Sequence, residues 1–189
     1  MSIHIEPNDK LMEIWKELAR EKTSLKMVDP DKLHVTLKFL GDTDISLTDN
    51  IVRIMKDVTG DTDPFEARIR DMGVFPSTNY IKVVWLGVES SGILENISKR
   101  LNESLKSLGY KKEKGFKGHL TLARMKSARD KNKIMKMIKG NRDVHVMSMP
   151  VCAINLMKST LTPKGPIYEV VKTVSIKKKS REGEDEQDA

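Results

Sequence analysis

The chain alternates between stretches with an apolar residue every three or four positions and stretches with an apolar residue at every second position. Helical spacing predicts helices over 8–22, 46–60, 92–110 and 128–140. Period-two alternation between turn-forming residues predicts strands over 33–41, 64–76, 80–89, 118–124, 143–159 and 166–176. We therefore expect an α+β protein.

The order of these elements repeats along the chain. In each half a helix leads into a strand containing His-x-Thr-Leu, which a second helix and further strands follow. We expect a bilobal domain over 1–176, with two pseudo-symmetric lobes that are each an antiparallel β-sheet with helices on the outer face. The active-site cleft would lie between the lobes. Residues 177–189 contain no apolar side chain except the last, and we expect a charged, disordered tail.

The first copy of the repeated motif is "HVTL" at 34–37. Residues two apart on a strand point to the same side, so His34, Thr36 and Lys38 are expected on one face. The opposite, apolar face would carry Val35, Leu37 and Phe39.

The second copy is "HLTL" at 119–122, so the two copies use two of the four histidines in the chain. His119 and Thr121 are expected on one face, and alternation places Arg124 on the other, from which it would reach round the strand end. A single His-x-Thr is typical of an ordinary half-buried strand, but a repeated one indicates function.

Paired imidazoles suit phosphodiester cleavage. In-line attack of water on phosphorus needs a base on one side and an acid for the departing oxygen on the other. Imidazole, with an ordinary pKa of about 6.5, serves in either role near neutral pH. The threonine hydroxyls beside the histidines are able to donate to non-bridging phosphate oxygens.

Composition is that of a globular protein, and the excess of positive charge favours polyanionic partners, although lysine-rich surfaces are often only solvated. Of 189 residues, 38% are hydrophobic and 32% are charged, and the formal net charge is +7. No apolar run approaches the roughly 18 residues of a membrane-spanning helix, and we expect a cytoplasmic protein without membrane association. The single cysteine, Cys152, is expected to be buried.

The sequence resembles the 2H phosphoesterases, and most closely their RNA 2′,3′-cyclic phosphodiesterase branch, also called 2′-5′ RNA ligases or LigT-like proteins. The matching segments are "LHVTLKFLGD", "FKGHLTLARMK", "VFPSTNYIKVVWLGV" and "LMKSTLTPKGPIYEVV". Two positions depart from the family pattern. The first strand is reduced to "SIHIEP", and Gly118 replaces the proline that often precedes the second motif, which is expected to loosen the approach to that strand.

The resemblance implies hydrolysis of an RNA terminal 2′,3′-cyclic phosphate to a 2′-phosphate, without metal, ATP or another cofactor. Carried onto this chain, it makes His34 the proton donor and His119 the proton acceptor, although the sequence alone does not fix that order. It gives phosphate binding to Thr36, Thr121 and Arg124. The reverse reaction would join RNA ends through a 2′-5′ bond.

The expected partner is RNA with a 2′,3′-cyclic phosphate end, of which tRNA fragments are one source, and we expect a monomer. Candidate RNA contacts are Lys38, Lys114, Phe116 and Lys117. Three alternatives stay open: a 2H phosphoesterase for a small cyclic nucleotide, a non-catalytic RNA-binding module and a metal hydrolase. The last is disfavoured because the chain has no HxxxH, HxD or HExxH spacing.

Overall fold

A computed structural model describes residues 1–20, 25–113, 115–127, 131–163 and 165–178 of the chain. Within this part of the chain lie four α-helices and nine β-strands. In chain order they are β1 (Ser2–His4), α1 (Asp9–Arg20), β2 (Leu25–Met27), β3 (His34–Thr36), α2 (Thr48–Thr59), β4 (Phe65–Pro76), β5 (Ile81–Glu89), α3 (Ile93–Ser104), β6 (His119–Met125), α4 (Lys131–Gly140), β7 (His145–Val151), β8 (Ala153–Thr162) and β9 (Gly165–Ser175).

The strands form one antiparallel sheet. Its order is β7-β4-β5-β6-β3-β1-β8-β9, and β2 pairs with β6 beyond the end of β3. The predicted α+β class, with antiparallel strands and helices, is confirmed. The two expected sheets are continuous with one another, because β3 and β6 pair at Val35 and Leu120 in the middle of the sheet.

The two halves of the sheet do not coincide with the two halves of the sequence. The hairpin β4–β5 comes from the first half of the chain, yet β5 pairs with β6 from the second half. Conversely, β8 comes from the second half and pairs with β1 from the first. Each half of the sheet therefore combines strands from both repeats around one motif strand.

One face of the sheet packs against the helices in a single hydrophobic core. The helical periodicity that predicted the helices is the periodicity of burial: α1 buries Leu11, Ile14 and Leu18, and α3 buries Leu94, Ile97 and Leu101. From the motif strands the same core takes Val35, Leu120 and Leu122, each at most 1% exposed. The face with the motif histidines is turned away from this core.

The first motif strand is shorter than its alternating pattern suggests. It ends at Thr36 instead of residue 41, and the chain then leaves the sheet. Leu37 is buried as predicted, but the prediction for the next two residues was wrong: Lys38 is 2% exposed, whereas Phe39 is 70% exposed. Alternation in sequence positions side chains only while the backbone stays extended in the sheet, so it fails from Lys38 onwards.

The single cysteine is not part of the core. Cys152 is exposed, contrary to prediction, because it lies at the junction between β7 and β8. Residues 21–22 and 128–130 of the predicted helices, and 179–189 of the expected tail, lie outside the described residues. In the part of the chain described here, no helix is long and apolar enough to cross a membrane.

Candidate active site

The pairing of β3 with β6 brings the two His-x-Thr motifs together. Val35 pairs with Leu120, and since the strands are antiparallel, His34 faces Thr121 and Thr36 faces His119. Directly opposed Cβ atoms lie about 4.5–5.5 Å apart in such a pair, and the two histidines on its diagonal about 7–8 Å apart. The four side chains predicted to form one site thus make a compact square on the face away from the core.

Both imidazoles are held in the same way. Nδ1 of His34 lies 2.7 Å from the carbonyl oxygen of Lys32, and Nδ1 of His119 lies 2.7 Å from the carbonyl oxygen of Lys117. A carbonyl oxygen only accepts, so each Nδ1 carries the hydrogen that it donates. Nε2 is then the ring atom through which each imidazole takes up or releases a proton.

His34 lies in the more enclosed of the two positions. Its ring makes an edge contact with Tyr168 of β9, with the ring centroids 5.4 Å apart. Burial lowers the pKa of His34 below its ordinary value, and the electrostatic effects of the N-terminal amino group, His4 and His119 act in the same direction. The hydrogen bond to Lys32 opposes this shift in pKa. Because its pKa is lowered, His34 is mainly neutral in the free protein at neutral pH.

His119 lies beside an aromatic pair. Its ring makes an edge contact with Phe75, at 5.0 Å between centroids, and Phe75 in turn lies 4.9 Å from Trp85. Nζ of Lys117, a candidate RNA contact, lies 4.4 Å from the centroid of Trp85, so its ammonium group is close to the second motif.

Phe75 and Trp85 were not anticipated as part of the site. The alternation of β5 could have placed Trp85 on the face of the site. Val84 and Leu86 on either side of it are 0% exposed and belong to the core, so Trp85 points to the opposite face. A Cβ on Gly73 would lie 2.4 Å from the indole of Trp85, so this glycine provides the room for the ring.

Gly118 allows a close approach of two backbones. A Cβ at this position would lie 2.3 Å from the carbonyl oxygen of Val88. The expected loosening is therefore wrong: Gly118 lets the chain enter β6 tightly against β5, immediately before His119.

A β-bulge changes the position of Arg124. Trp85 pairs with Thr121, but its neighbour Val84 pairs with Ala123, so β6 holds one extra residue at Leu122. Leu122 and Ala123 are consequently both 0% exposed. The alternation shifts by one, and Arg124, which pairs with Val83, lies on the same face as Thr121. The predicted opposite face for Arg124 was wrong.

The remaining candidate RNA contacts have different positions. The Lys38 ammonium donates to the carbonyl oxygen of Lys111 at 2.7 Å and lies 3.7 Å from a carboxylate oxygen of Glu113, so Lys38 does not share the His34 face. Phe116 is half-buried and packs against the core. Lys114 lies outside the described residues.

The described residues contain no group of three or more histidine, cysteine, aspartate or glutamate side chains placed to hold a metal ion. The chemistry available at the face of β3 and β6 is that of two imidazoles, two hydroxyls and the nearby cations.

Fold comparison gives the class of protein. TT0787 of Thermus thermophilus has a TM-score of 0.73 and 26% sequence identity, over 93% of this chain and 98% of that one. E. coli LigT in complex with 3′-AMP also has a TM-score of 0.73, at 19% identity, over 93% of this chain and 95% of that one. The fold is that of the LigT-like phosphoesterases.

Sequence comparison gives the family. The model of the 2′-5′ RNA ligase superfamily matches residues 7–162, and the chain belongs to this superfamily. It is 37% identical over 160 residues to a Methanothermobacter thermautotrophicus protein named RNA 2′,3′-cyclic phosphodiesterase, covering 85% of this chain and 87% of that protein. A Methanocaldococcus jannaschii protein of the same name is 38% identical over 148 residues, covering 78% and 83%. The family resemblance is confirmed.

Proposed function

We propose that the protein hydrolyses the 2′,3′-cyclic phosphate at the 3′ end of RNA to a 2′-phosphate, without metal or ATP. The observation that carries this proposal is the antiparallel pairing of the two His-x-Thr motifs, with both Nδ1 atoms hydrogen-bonded to backbone carbonyls. The name shared by the relatives supports the choice of substrate.

The phosphate would lie above the square formed by the two motifs. Nε2 of His119 takes a proton from water as its oxygen bonds to phosphorus, and Nε2 of His34 gives a proton to the 3′-oxygen as its bond to phosphorus breaks. The net change is the addition of one water molecule. The two imidazoles then exchange protons with solvent to return to their starting states.

Thr36 and Thr121 hold the phosphate during this step. Each lies across from the histidine of the other motif, so their hydroxyls approach the non-bridging oxygens from the two remaining corners of the square. Hydrogen bonds to these oxygens strengthen as negative charge accumulates on them. Arg124, on the same face beyond the bulge, adds a positive charge from the Thr121 side.

The lowered pKa of His34 is compatible with its role as the acid. A lower pKa makes the protonated imidazole a stronger acid for an alkoxide leaving group, but it also reduces the protonated fraction in the free protein. A bound phosphate anion between the two rings favours the imidazolium form and offsets this loss.

The same groups would run the reverse reaction. A 5′-hydroxyl end of a second RNA takes the place of water, His119 receives its proton, and the strained ring opens as the new 2′-5′ bond forms. No ATP is needed, because the cyclic phosphate itself supplies the free energy.

The test uses an oligoribonucleotide ending in a 2′,3′-cyclic phosphate, incubated with the protein in EDTA without ATP. Chromatography should show a 2′-phosphate product with the wild-type protein, and none with His34→Ala or His119→Ala. A 3′-phosphate product would reverse the assigned leaving oxygen. Absence of hydrolysis, with a 2′,3′-cyclic mononucleotide cleaved instead, would favour a small cyclic nucleotide as substrate.

The roles of the two histidines are separated by a cyclic substrate in which sulfur replaces the 3′-oxygen. A thiolate leaves without prior protonation, so this substrate should restore turnover to the variant that lacks the acid. We expect recovery for His34→Ala and not for His119→Ala. Recovery only for His119→Ala would exchange the two roles.

A further inference from the structure

A group of basic side chains lies at the end of the site marked by Thr121. We call it the cationic patch and define it as Lys26, Lys82, Arg124, Lys126 and Lys131. The last four line a cavity of about 340 Å³ between the end of β6 and the turn that joins β4 to β5. Lys26 adjoins them, because it pairs with Arg124 across β2 and β6.

In the ranges that the structure describes, no acidic partner balances the positive charge of the patch. Among the described residues, none of its five members takes part in an ion pair, and no carboxylate lines the cavity. Lys26 and Arg124 are like charges directly opposite one another on neighbouring strands, an arrangement that destabilises a sheet. An anionic ligand would remove this repulsion.

An exposed aromatic ring lines the same cavity as the patch. Tyr80 is 60% exposed in the turn before β5, and Nζ of Lys82 lies 5.2 Å from the centroid of its ring. Lys131 donates to the carbonyl oxygen of Asn79 at 3.1 Å, which fixes this turn against α4. Lysines that surround an accessible ring are typical of single-stranded nucleic-acid sites, where bases stack while phosphates are neutralised.

Arg124 links the patch to the catalytic face. Arg124 follows Thr121 by three residues on the same face, a distance of about 10 Å along the strand. Successive phosphates of one strand rise by about 3.4 Å even in the compact double helix of DNA, so about 10 Å along β6 corresponds to no more than about three nucleotides.

The opposite end of the site differs in charge. Beyond Thr36, the cavity between loops 38–44 and 108–113 contains the carboxylates of Asp42, Asp44 and Glu113 along with its lysines. A polyanionic strand is therefore favoured more in the direction of Arg124 than in the direction of these three carboxylates.

We propose that the four lysines of the cationic patch bind the internal phosphates of the RNA strand whose 3′ end occupies the catalytic site, and that Tyr80 stacks on one of its bases. This inference rests on the proposed function and narrows it. The preferred substrate is an oligonucleotide, and a cyclic mononucleotide is cleaved with the help of Arg124 but without that of the four lysines of the patch.

The test compares a 2′,3′-cyclic mononucleotide with an octanucleotide that ends in the same cyclic nucleotide. The variant Lys26→Ala/Lys82→Ala/Lys126→Ala removes three charges of the patch and leaves the motif residues and Arg124 intact. The control Lys56→Ala/Lys99→Ala/Lys136→Ala removes three exposed lysines from helices α2, α3 and α4. Both variants change the net charge equally.

We expect the patch variant to lose at least about tenfold in kcat/KM on the octanucleotide, mainly through KM, with turnover of the mononucleotide unchanged. The slope of log KM against log salt concentration should decrease by about 2, since each contact to a single strand contributes about 0.7. Tyr80→Ala should raise KM for the octanucleotide alone, and Tyr80→Phe should not.

An equal loss on both substrates, no loss, or the same loss in the control variant would overturn the proposal. Fluorescence anisotropy with a 5′-labelled octanucleotide tests binding to the patch independently of the proposed function. If the wild-type protein cleaves neither substrate, weaker octanucleotide binding by the patch variant alone still supports the patch, and equal binding by both variants rejects it.

Discussion

Strands β3 and β6 contain the same motif, and the motif itself has the same geometry in both. In each strand the histidine donates from Nδ1 to the carbonyl oxygen two residues earlier, and the threonine lies two residues later on the same face. The strands diverge after the threonine. β3 ends there and the chain buries Lys38, whereas β6 continues through a bulge that exposes Arg124.

This difference shows which properties a short repeat specifies. The four residues determine the face of the histidine, because it depends on local extended backbone, and the hydrogen bond to the carbonyl oxygen two residues earlier is also local. They do not determine where a basic residue two or three positions later points. That depends on whether the strand continues, ends or bulges, which the neighbouring strands decide.

The largest expected effect tests whether the two motifs are equivalent in catalysis. His34→Ala and His119→Ala should each lower kcat by about 10²–10⁴-fold, the usual contribution of a general acid or base. His145→Ala, which removes an exposed histidine from β7, should leave kcat unchanged. Steady-state kinetics, with circular dichroism as the check on folding, provides the measurement. A motif variant with near-wild-type turnover would exclude that histidine from the mechanism.

A smaller effect should separate the residues that follow the motifs. Arg124→Ala should lower kcat/KM for a cyclic mononucleotide by about 10-fold to 100-fold, because it removes a cation from the phosphate side of the sheet. Lys38→Met should leave kcat/KM unchanged and lower the free energy of unfolding by about 1–3 kcal/mol, since it removes a part-buried hydrogen bond and leaves the carbonyl oxygen of Lys111 without that donor. Kinetics and urea unfolding of both variants check this, and a kinetic defect in Lys38→Met would contradict the assigned faces.

The smallest effect concerns the difference in environment between the histidines. Because the pKa of His34 is lowered in the folded protein, the unfolded chain takes up its proton more readily. The stability contributed by neutral His34 is complete above pH about 6.5, the ordinary histidine value, and is lost as the pH falls from there through the lowered pKa of the folded state.

His34→Asn should therefore lose less stability than the wild-type protein between pH 7.5 and pH 5. Thermal unfolding at both pH values, with His145→Asn as the matched control, provides the measurement. Parallel losses in the wild-type protein and His34→Asn would show that His34 contributes nothing to the acid sensitivity.

The helices and the catalytic face could be predicted because each depends on a local period. Leu11, Ile14 and Leu18 recur at helical spacing and are buried together, and His34 and Thr36 are two residues apart on a strand. The family resemblance added the roles of these residues, which periodicity does not contain.

Other features depend on contacts between distant parts of the chain. Strand β2 is only three residues long and exists through its pairing with β6. The bulge at Leu122 is defined by the register with β5, and the contact of Tyr168 with His34 by the path of the last hairpin. None of these leaves a periodic signal in the sequence.

Each repeat contributes strands to the half of the sheet that contains the other repeat's motif strand, so the protein cannot be divided into two independent halves. A fragment ending before β6 would leave β5 without its motif neighbour, and the complementary fragment would leave β8 without β1. Separated halves would expose unpaired strand edges and should regain a native sheet only by recombining. By the same geometry, two copies of a half-length ancestor would complete each other's sheet as an intertwined dimer, and fusion of the two copies would yield the present single chain.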